Sequence, residues 1–233
     1  MNQLTAATPI LDFQHKSIQQ LIKQRGWNKL EPVQAVTAIY YFIRDEIHFG
    51  YNRDDAIAAS EVLANGYGQC NTKGSLFMAL VRALNIPCRL HAFTIYNSLQ
   101  QGAIPRYFMP LAPKRILHSW VEVLLDGQWL NVEGFIIDKA FLSQVQRGFS
   151  QCNSFSGYGI AVPCLQQPNN EFNNNHTYIQ AEGIADDFGV VASPDQFYAK
   201  HGSNLQGIKK LAYRYVLRHL INVNVKRIRQ YGI

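Results

Sequence analysis

The most constraining feature of this 233-residue sequence is a hairpin signal, Asp126-Gly127, between two runs of alternating apolar residues. The Asp-Gly pair favours a two-residue turn because both residue types tolerate the positive φ that such turns require. With these two residues as the turn, Leu125 lies opposite Gln128 and Trp120 lies opposite Glu133. The sequence therefore predicts one antiparallel hairpin with a defined register.

That register sorts the hairpin residues into two faces, because successive side chains of a strand point in opposite directions. The predicted core face carries Val121, Val123, Leu125, Leu130 and Val132. The opposite face carries His118, Trp120, Glu122, Trp129, Asn131 and Glu133. His118 and Glu133 become diagonal neighbours, close enough for an imidazole-carboxylate hydrogen bond. Polar groups among tryptophans suit a partly buried reactive site.

A second predicted element is the helix that starts at Cys70, within CNTKGSLFMALVRALNIP. Two glycines, Gly66 and Gly68, interrupt the chain just before the cysteine. Phe77 lies about two turns after Cys70, so the thiol is expected to point inward on the buried face. The N-terminus of a helix favours a thiolate and can stabilise an oxyanion, and Gly74 leaves room beside the sulfur.

The segments GYGQCNTKGSLFMALVRALNIPCRLHAF and HSWVEVLLDGQWLNVEG together resemble the core of the transglutaminase-like superfamily, over about residues 58–134. The resemblance implies a papain-related α+β fold, in which a capped catalytic helix packs on an antiparallel sheet. It also implies Cys70 as nucleophile, His118 as base and Glu133 as the acid that orients the base. The family usually has Asp at the acid position and often Pro next, whereas this chain has Glu133 and Gly134.

Three further residues are candidates for supporting such a site. Asn131 is the reserve candidate for orienting His118, since it shares the same hairpin face. Trp120 is expected to pack beside the site, and Gln69 directly precedes the predicted nucleophile.

The remaining cysteines, Cys88, Cys152 and Cys164, are expected to be small buried hydrophobic residues. No zinc-type spacing of cysteine or histidine occurs, so neither a metal nor another cofactor is expected.

The length favours a single domain, 1–233, with a catalytic core at about 30–145 and a helical C-terminal extension at about 146–233. Within the core, helices are expected from about Leu11 to Lys23 and from Pro32 to Ile47. The stretch 150–180 is rich in Gly, Asn and Gln, which predicts an exposed loop or partial disorder. No secretory pattern or membrane-spanning run is visible, so the prediction is a soluble, cytoplasmic protein.

The net charge of +6 arises from the C-terminal extension, because residues 205–233 contain seven basic residues and no acidic one. Those residues are Lys209, Lys210, Arg214, Arg218, Lys226, Arg227 and Arg229. A basic helix of this kind can dock on acidic lipid, RNA or a protein, but a solvated cationic face is the commoner case. Nucleic acid and membrane are therefore not the expected partners, and a docking surface for another protein stays open.

The resemblance implies acyl transfer on an amide, either a protein glutamine or a peptide bond, through a thioester resolved by water or by an amine. A different class of function is a non-catalytic binding module that uses the basic helix and keeps Cys70 unreactive. A deglycosylase of the peptide:N-glycanase kind shares the order of the three residues but usually carries a zinc module. A papain-type protease fits less well, because its cysteine and histidine lie much further apart in sequence.

Overall fold

The computed structural model describes residues 3–151 and 153–233 and has an α+β architecture. Its helices are α1 Lys16–Arg25, α2 Pro32–Asp45, α3 Ala59–Asn65, α4 Cys70–Ala83, α5 Lys139–Gly148, α6 Pro194–His201, α7 Gly207–Ala212 and α8 Arg218–Tyr231. Its strands are β1 His48–Phe49, β2 Tyr67–Gly68, β3 Cys88–Tyr96, β4 Arg115–Leu125, β5 Gln128–Val132, β6 Phe155–Gly157, β7 Ile160–Val162 and β8 Ile184–Val191. In the described ranges, no helix combines the length and the hydropathy that crossing a bilayer requires.

The central sheet is antiparallel, with strand order β5-β4-β3-β8, and β4 and β5 form the predicted hairpin. Leu125 pairs with Gln128, and the ladder runs to Val121 opposite Val132, so the predicted register is confirmed. The turn residues Asp126 and Gly127 have φ values of 49° and 78°, as a two-residue hairpin turn requires. The ladder ends one pair before Glu133, which therefore lies just beyond the strand.

Helix α4 packs against the apolar face of the hairpin. A Cβ atom on Gly74 would lie 3.6 Å from Cγ2 of Val121, so helix and strand approach closely at this position. The helix begins at Cys70, where the backbone N–H of Gln69 donates to Oγ1 of Thr72 at 3.0 Å. It ends before Asn85, which adopts a positive φ of 58°. The predicted helix start at Cys70 is confirmed.

The stretch 150–180 was predicted to be an exposed loop or partly disordered, and its described residues only partly agree: Glu171 and residues 173–176 are exposed, but other side chains of the 169–180 segment are buried. Phe172, Thr177 and Ile179 are buried, and Phe172 stacks on Tyr40 of α2 with ring centroids 5.3 Å apart. The N–H of Thr177 donates to the carbonyl of Asn131 at 2.9 Å. The prediction was wrong for the buried residues because this polar segment satisfies the edge of β5 with its backbone, which amino-acid composition does not reveal.

The C-terminal extension is helical at its end, as predicted, but its cationic face is not wholly solvated. Helix α8 buries Ile221, Val225 and Ile228. Its Arg229 side chain, 14% exposed, lies 2.8 Å from the buried carboxylate of Asp138. Lys210 and Arg214 approach the carboxylate of Asp54 at 2.6 and 3.2 Å, respectively. Three of the seven basic residues therefore form ion pairs within the chain, so the expectation of a solvated face needs correction.

The cysteines apart from Cys70 differ in their environments. Cys88 is buried at the start of β3, where its sulfur lies 3.4 Å from Nε of Arg82. Cys164 is only partly buried, so the expectation that it is a core residue was wrong. It follows an exposed proline in an irregular segment, where no apolar pattern encloses it. The expectation for Cys152 lies outside the described residues.

Replacement of Arg229 by Met tests the attachment of α8 to the core. Asp138 accepts hydrogen bonds from Arg229, from the N–H of Phe49 and from the N–H of Phe141. Removing the cation leaves a buried carboxylate without its counter-ion, so we expect a loss of about 3 kcal/mol in the free energy of unfolding by urea. The control is Arg227→Met on the exposed side of α8, which should change stability by less than about 0.5 kcal/mol. Equal stabilities of the two variants would contradict the role of this ion pair.

Candidate active site

Cys70 is the first residue of α4, with a relative exposure of 6%. The N–H groups of the first helical turn, including those of Cys70 and Asn71, have no carbonyl partner within the helix. They lie at the positive end of the helix dipole, which favours negative charge on the sulfur or on an oxygen bound beside it. The thiol therefore occupies a position that supports nucleophilic chemistry.

His118 and Glu133 form a buried pair. Nε2 of His118 lies 2.8 Å from Oε1 of Glu133, and both side chains have 0% exposure. The second carboxylate oxygen, Oε2, accepts hydrogen bonds from the backbone N–H groups of Ile179 and Gln180, at 2.9 and 3.0 Å. Three donors thus surround one carboxylate and fix the plane of the imidazole. The longer Glu side chain reaches both the imidazole and the 177–180 segment.

The other ring nitrogen, Nδ1 of His118, is buried and makes no hydrogen bond of normal geometry with the described residues. Cys70 is nevertheless near enough to act on the imidazole. Burial by itself lowers the pKa of His118, but the interactions with Cys70 and with the Glu133 carboxylate outweigh that effect and raise the pKa to about 10. The favoured form of His118 is therefore the imidazolium.

The fold also brings together polar residues beside the site that the sequence motifs did not predict. Nδ2 of Asn71 donates to the carbonyl of Leu117 at 3.0 Å, and its Oδ1 accepts from the hydroxyl of Ser119 at 2.9 Å. These bonds attach the residue after Cys70 to the residues on both sides of His118. Ser119 precedes Val121 and Val123 at alternate positions of β4, so a short polar residue in line with that apolar run was the available signal.

Gln69 supports the start of α4 through its side chain. Its Oε1 accepts the N–H of Asn52 at 2.9 Å, and its Nε2 donates to the carboxylate of Asp55 at 2.9 Å. Asp55 also accepts from Nδ2 of Asn204 at 2.8 Å, and burial raises the pKa of its carboxyl. The candidate support residue therefore links the helix start to the chain before it and, through Asp55, to the C-terminal extension.

The two hairpin candidates lie beside the site without bonding to His118. Nδ2 of Asn131 donates to the hydroxyl of Tyr178 at 2.8 Å, so the structure does not support its reserve role as the group that orients the imidazole. Trp120 packs on Phe93, with ring centroids 4.2 Å apart, and contacts the edge of Tyr178. Trp120 thus contacts β3 and Asn131 contacts the 177–180 segment, neighbours that a hairpin alone does not provide.

A cavity of about 250 Å³ lies against Cys70. Most of its walls are apolar, and at its inner end the hydroxyl of Tyr51 donates to Oε1 of Gln100. Burial and the proximity of Cys70 raise the pKa of Tyr51, so this hydroxyl keeps its proton beside the sulfur. Within residues 3–151 and 153–233, no three His, Cys, Asp or Glu side chains are grouped as metal ligands.

Residues 20–134 match the family model described as the transglutaminase-like superfamily. The chain carries the core of this superfamily. The solved structures that resemble the chain include a provisionally named cysteine protease from Cytophaga hutchinsonii, 13% identical, with a TM-score of 0.46. The alignment covers 92% of this chain and 48% of that protein, so the chain spans about half of its length. A comparison with curated proteins gave no match.

The match to the transglutaminase-like core supports a general class for the protein, that of papain-like cysteine hydrolases or transferases. The matched region contains Cys70, His118 and Glu133 and ends one residue after the acid. Two of the three donors to Glu133, the N–H groups of Ile179 and Gln180, come from residues beyond the match, as does one wall of the cavity. This core therefore relies on the C-terminal part of the chain to complete the candidate site.

Alkylation of Cys70 by iodoacetamide tests the electrostatics of the site. At about pH 5.5 an ordinary thiol is almost wholly protonated, but the imidazolium of His118 should keep Cys70 reactive. His118→Ala should slow labelling by roughly 100-fold, measured by peptide mass spectrometry. The stabilising interaction is complete below the ordinary His pKa of 6.5 and is lost as the pH rises through about 10. His91→Ala, in the neighbouring strand, is the control, and equal rates in the two variants would contradict this assignment.

The geometry of Glu133 generates a separate prediction. Glu133→Asp shortens the side chain and should slow Cys70 alkylation by roughly 10-fold, because the shorter acid cannot reach both His118 and the 177–180 segment. Glu133→Gln keeps the length but loses the charge, so the loss should reach about 100-fold. The exposed Glu182→Asp is the control with the same chemical change. Wild-type rates in Glu133→Asp would show that the length of the acid is unimportant.

Proposed function

We propose that the protein catalyses cysteine-dependent acyl transfer on amide substrates, a protein glutamine or a peptide amide, through a thioester intermediate. In this proposal Cys70 is the nucleophile, His118 the general base and acid, and Glu133 the group that orients His118. The single observation that carries the proposal is the buried Glu133-His118 pair. Nδ1 of His118 makes no hydrogen bond of normal geometry with the described residues, and Cys70 lies near enough to raise the pKa of the imidazole.

In the first step, the proton of the Cys70 thiol resides on Nδ1 of His118, and the thiolate attacks the carbonyl carbon of the amide. A carbon-sulfur bond forms, and the carbonyl electron pair moves to the oxygen. The N–H groups at the start of α4 stabilise this oxyanion, an effect of about 3 kcal/mol per donor. Glu133 keeps the imidazolium in the orientation needed for the next proton transfer.

In the second step, the carbon-nitrogen bond breaks and His118 gives its proton to the departing amine or ammonia. The acyl group is then held as a thioester on Cys70. Water or a primary amine attacks the thioester, its proton passes to His118, and the thiol is regenerated. Water gives hydrolysis or deamidation, and an amine gives crosslinking, so the second nucleophile decides the product.

The intact mass of a glutamine-containing peptide, incubated with the protein and a primary amine, tests this proposal. Hydrolysis of the backbone, deamidation and amine incorporation each give a different mass, and we expect at least one of these products. The control variant Cys70→Ala removes the sulfur without adding bulk, so it should form none of them. The variant Cys88→Ala, which removes another buried thiol, should retain product formation.

The contrary outcome is a non-catalytic member of the superfamily. It would give no product with any peptide, and Cys70 would be alkylated no faster than Cys88. In that case, salt-sensitive binding of a protein partner by the basic segment 205–233 would become the better proposal. The ion pairs of Lys210, Arg214 and Arg229 within the chain reduce the free charge available for such binding.

A further inference from the structure

The apolar walls of the cavity against Cys70 come mainly from two separate parts of the chain, while residues 51–55 and 69–71 line its remaining side. One wall comes from the segment between β3 and β4 together with the start of β4, and it includes Ile104, Phe108, Leu111, Ala112, Ile116 and Leu117. The opposite wall comes from the C-terminal extension and includes Leu205, Ile208, Leu217 and Ile221. The second wall lies wholly outside residues 20–134, so the matched core alone does not form this cavity.

We propose that this cavity is the binding site for an apolar group carried by the acyl part of the substrate, such as a leucine or phenylalanine side chain beside the reacting carbonyl. This inference rests on the proposed function and deepens it, because it names a substrate class for the same site. The C-terminal extension then determines specificity.

The chemistry of the walls selects an apolar occupant. The side chains that enclose the cavity between Cys70 and the surface are aliphatic or aromatic for the most part. A carboxamide or charged side chain placed there would lose its hydration without gaining enough partners, which is unfavourable. An apolar group would instead exchange water for van der Waals contacts. The size is adequate, since an apolar cavity of about 150 Å³ already accepts benzene.

The cavity also opens to the surface, which distinguishes it from a packing defect in the core. Ile208 and Leu111 contribute to its lining and have relative exposures of 82% and 45%. Large aliphatic side chains with this exposure are favourable at the mouth of a binding site, where an occupant covers them. Among the polar lining residues, Arg53, Asp54 and Lys210 form ion pairs within the chain. Gln69 and Asn71 use their side chains in hydrogen bonds to Asp55 and to the carbonyl of Leu117.

The C-terminal wall is attached firmly enough to select among substrates. Asp54 accepts from Lys210 and Arg214, and the hydroxyl of Tyr213 donates to the carbonyl of Asn52 at 3.0 Å. These two ion pairs and this hydrogen bond attach the C-terminal wall to residues 52–54, in the loop that precedes α3. A wall held in place before binding costs less conformational entropy when a ligand enters.

The experiment measures protection of Cys70 by N-acetyl amino aldehydes. The sulfur adds reversibly to the aldehyde carbon and the oxygen takes up a proton, so no leaving group is needed. Protection from iodoacetamide is compared for the glycine, leucine, phenylalanine and glutamine aldehydes. We expect half-protection by the leucine and phenylalanine compounds at concentrations roughly 10- to 100-fold lower than by the glycine or glutamine compounds.

Two variants locate this preference in the cavity. Ala112→Phe fills part of the space and should reduce the preference for leucine and phenylalanine over glycine to less than about threefold. Ile208→Ser removes an exposed apolar wall residue, with little risk to folding, and should reduce the same preference in part. Ala64→Phe adds the same volume on an exposed position of α3 and serves as the matched control.

The outcomes separate this inference from the proposed function. If Cys70 is labelled rapidly but all four aldehydes protect equally, or the glutamine compound protects best, the cavity proposal is overturned and the catalytic proposal stands. If Cys70 is labelled no faster than Cys88, the proposed function fails and this inference fails with it. An apolar preference that persists in both Ala112→Phe and Ile208→Ser would assign the selectivity to another site.

Discussion

The fully buried carboxylate of Glu133 is the interaction on which the site depends. Taking a carboxylate out of water costs several kcal/mol unless donors replace its hydration. Here the donors are Nε2 of His118 and the N–H groups of Ile179 and Gln180. The imidazole can therefore be oriented only when the hairpin and the 177–180 segment are both in place. The geometry of the proposed site is thus coupled to the folding of residues distant in sequence.

The same region explains why Gly134 follows the acid. A Cβ atom at this position would come within 2.5 Å of the hydroxyl of Tyr40 and within 2.8 Å of Cα of Asn170. The hydroxyl of Tyr40 in turn donates to the carbonyl of Asn170 at 2.8 Å. The side chain of Tyr40 from α2 and the backbone of Asn170 thus fill the space beside Gly134. A proline would not fit there, which is the physical reason for this departure from the pattern common in the family.

Much of the fold core follows from local rules, whereas its completion depends on non-local contacts. The Asp126-Gly127 turn determines the hairpin register, and apolar periodicity locates α4 with Cys70 at its start. The role of residues 177–180 is invisible to composition, because it rests on backbone donors rather than on side chains. The partnership of Asp54 with Lys210 and Arg214 was equally inaccessible, since only the folded chain brings these charges together.

The position of the second cavity wall along the chain has a consequence for biosynthesis. The ribosome completes the segment with Cys70, His118 and Glu133 well before it makes residues 203–221. The nascent chain therefore has its sulfur and imidazole before it has the surface that encloses the cavity. During that interval the C-terminal wall does not limit which electrophiles reach the thiol. Docking of the last helices converts a generally accessible thiol into one reached through a shaped opening.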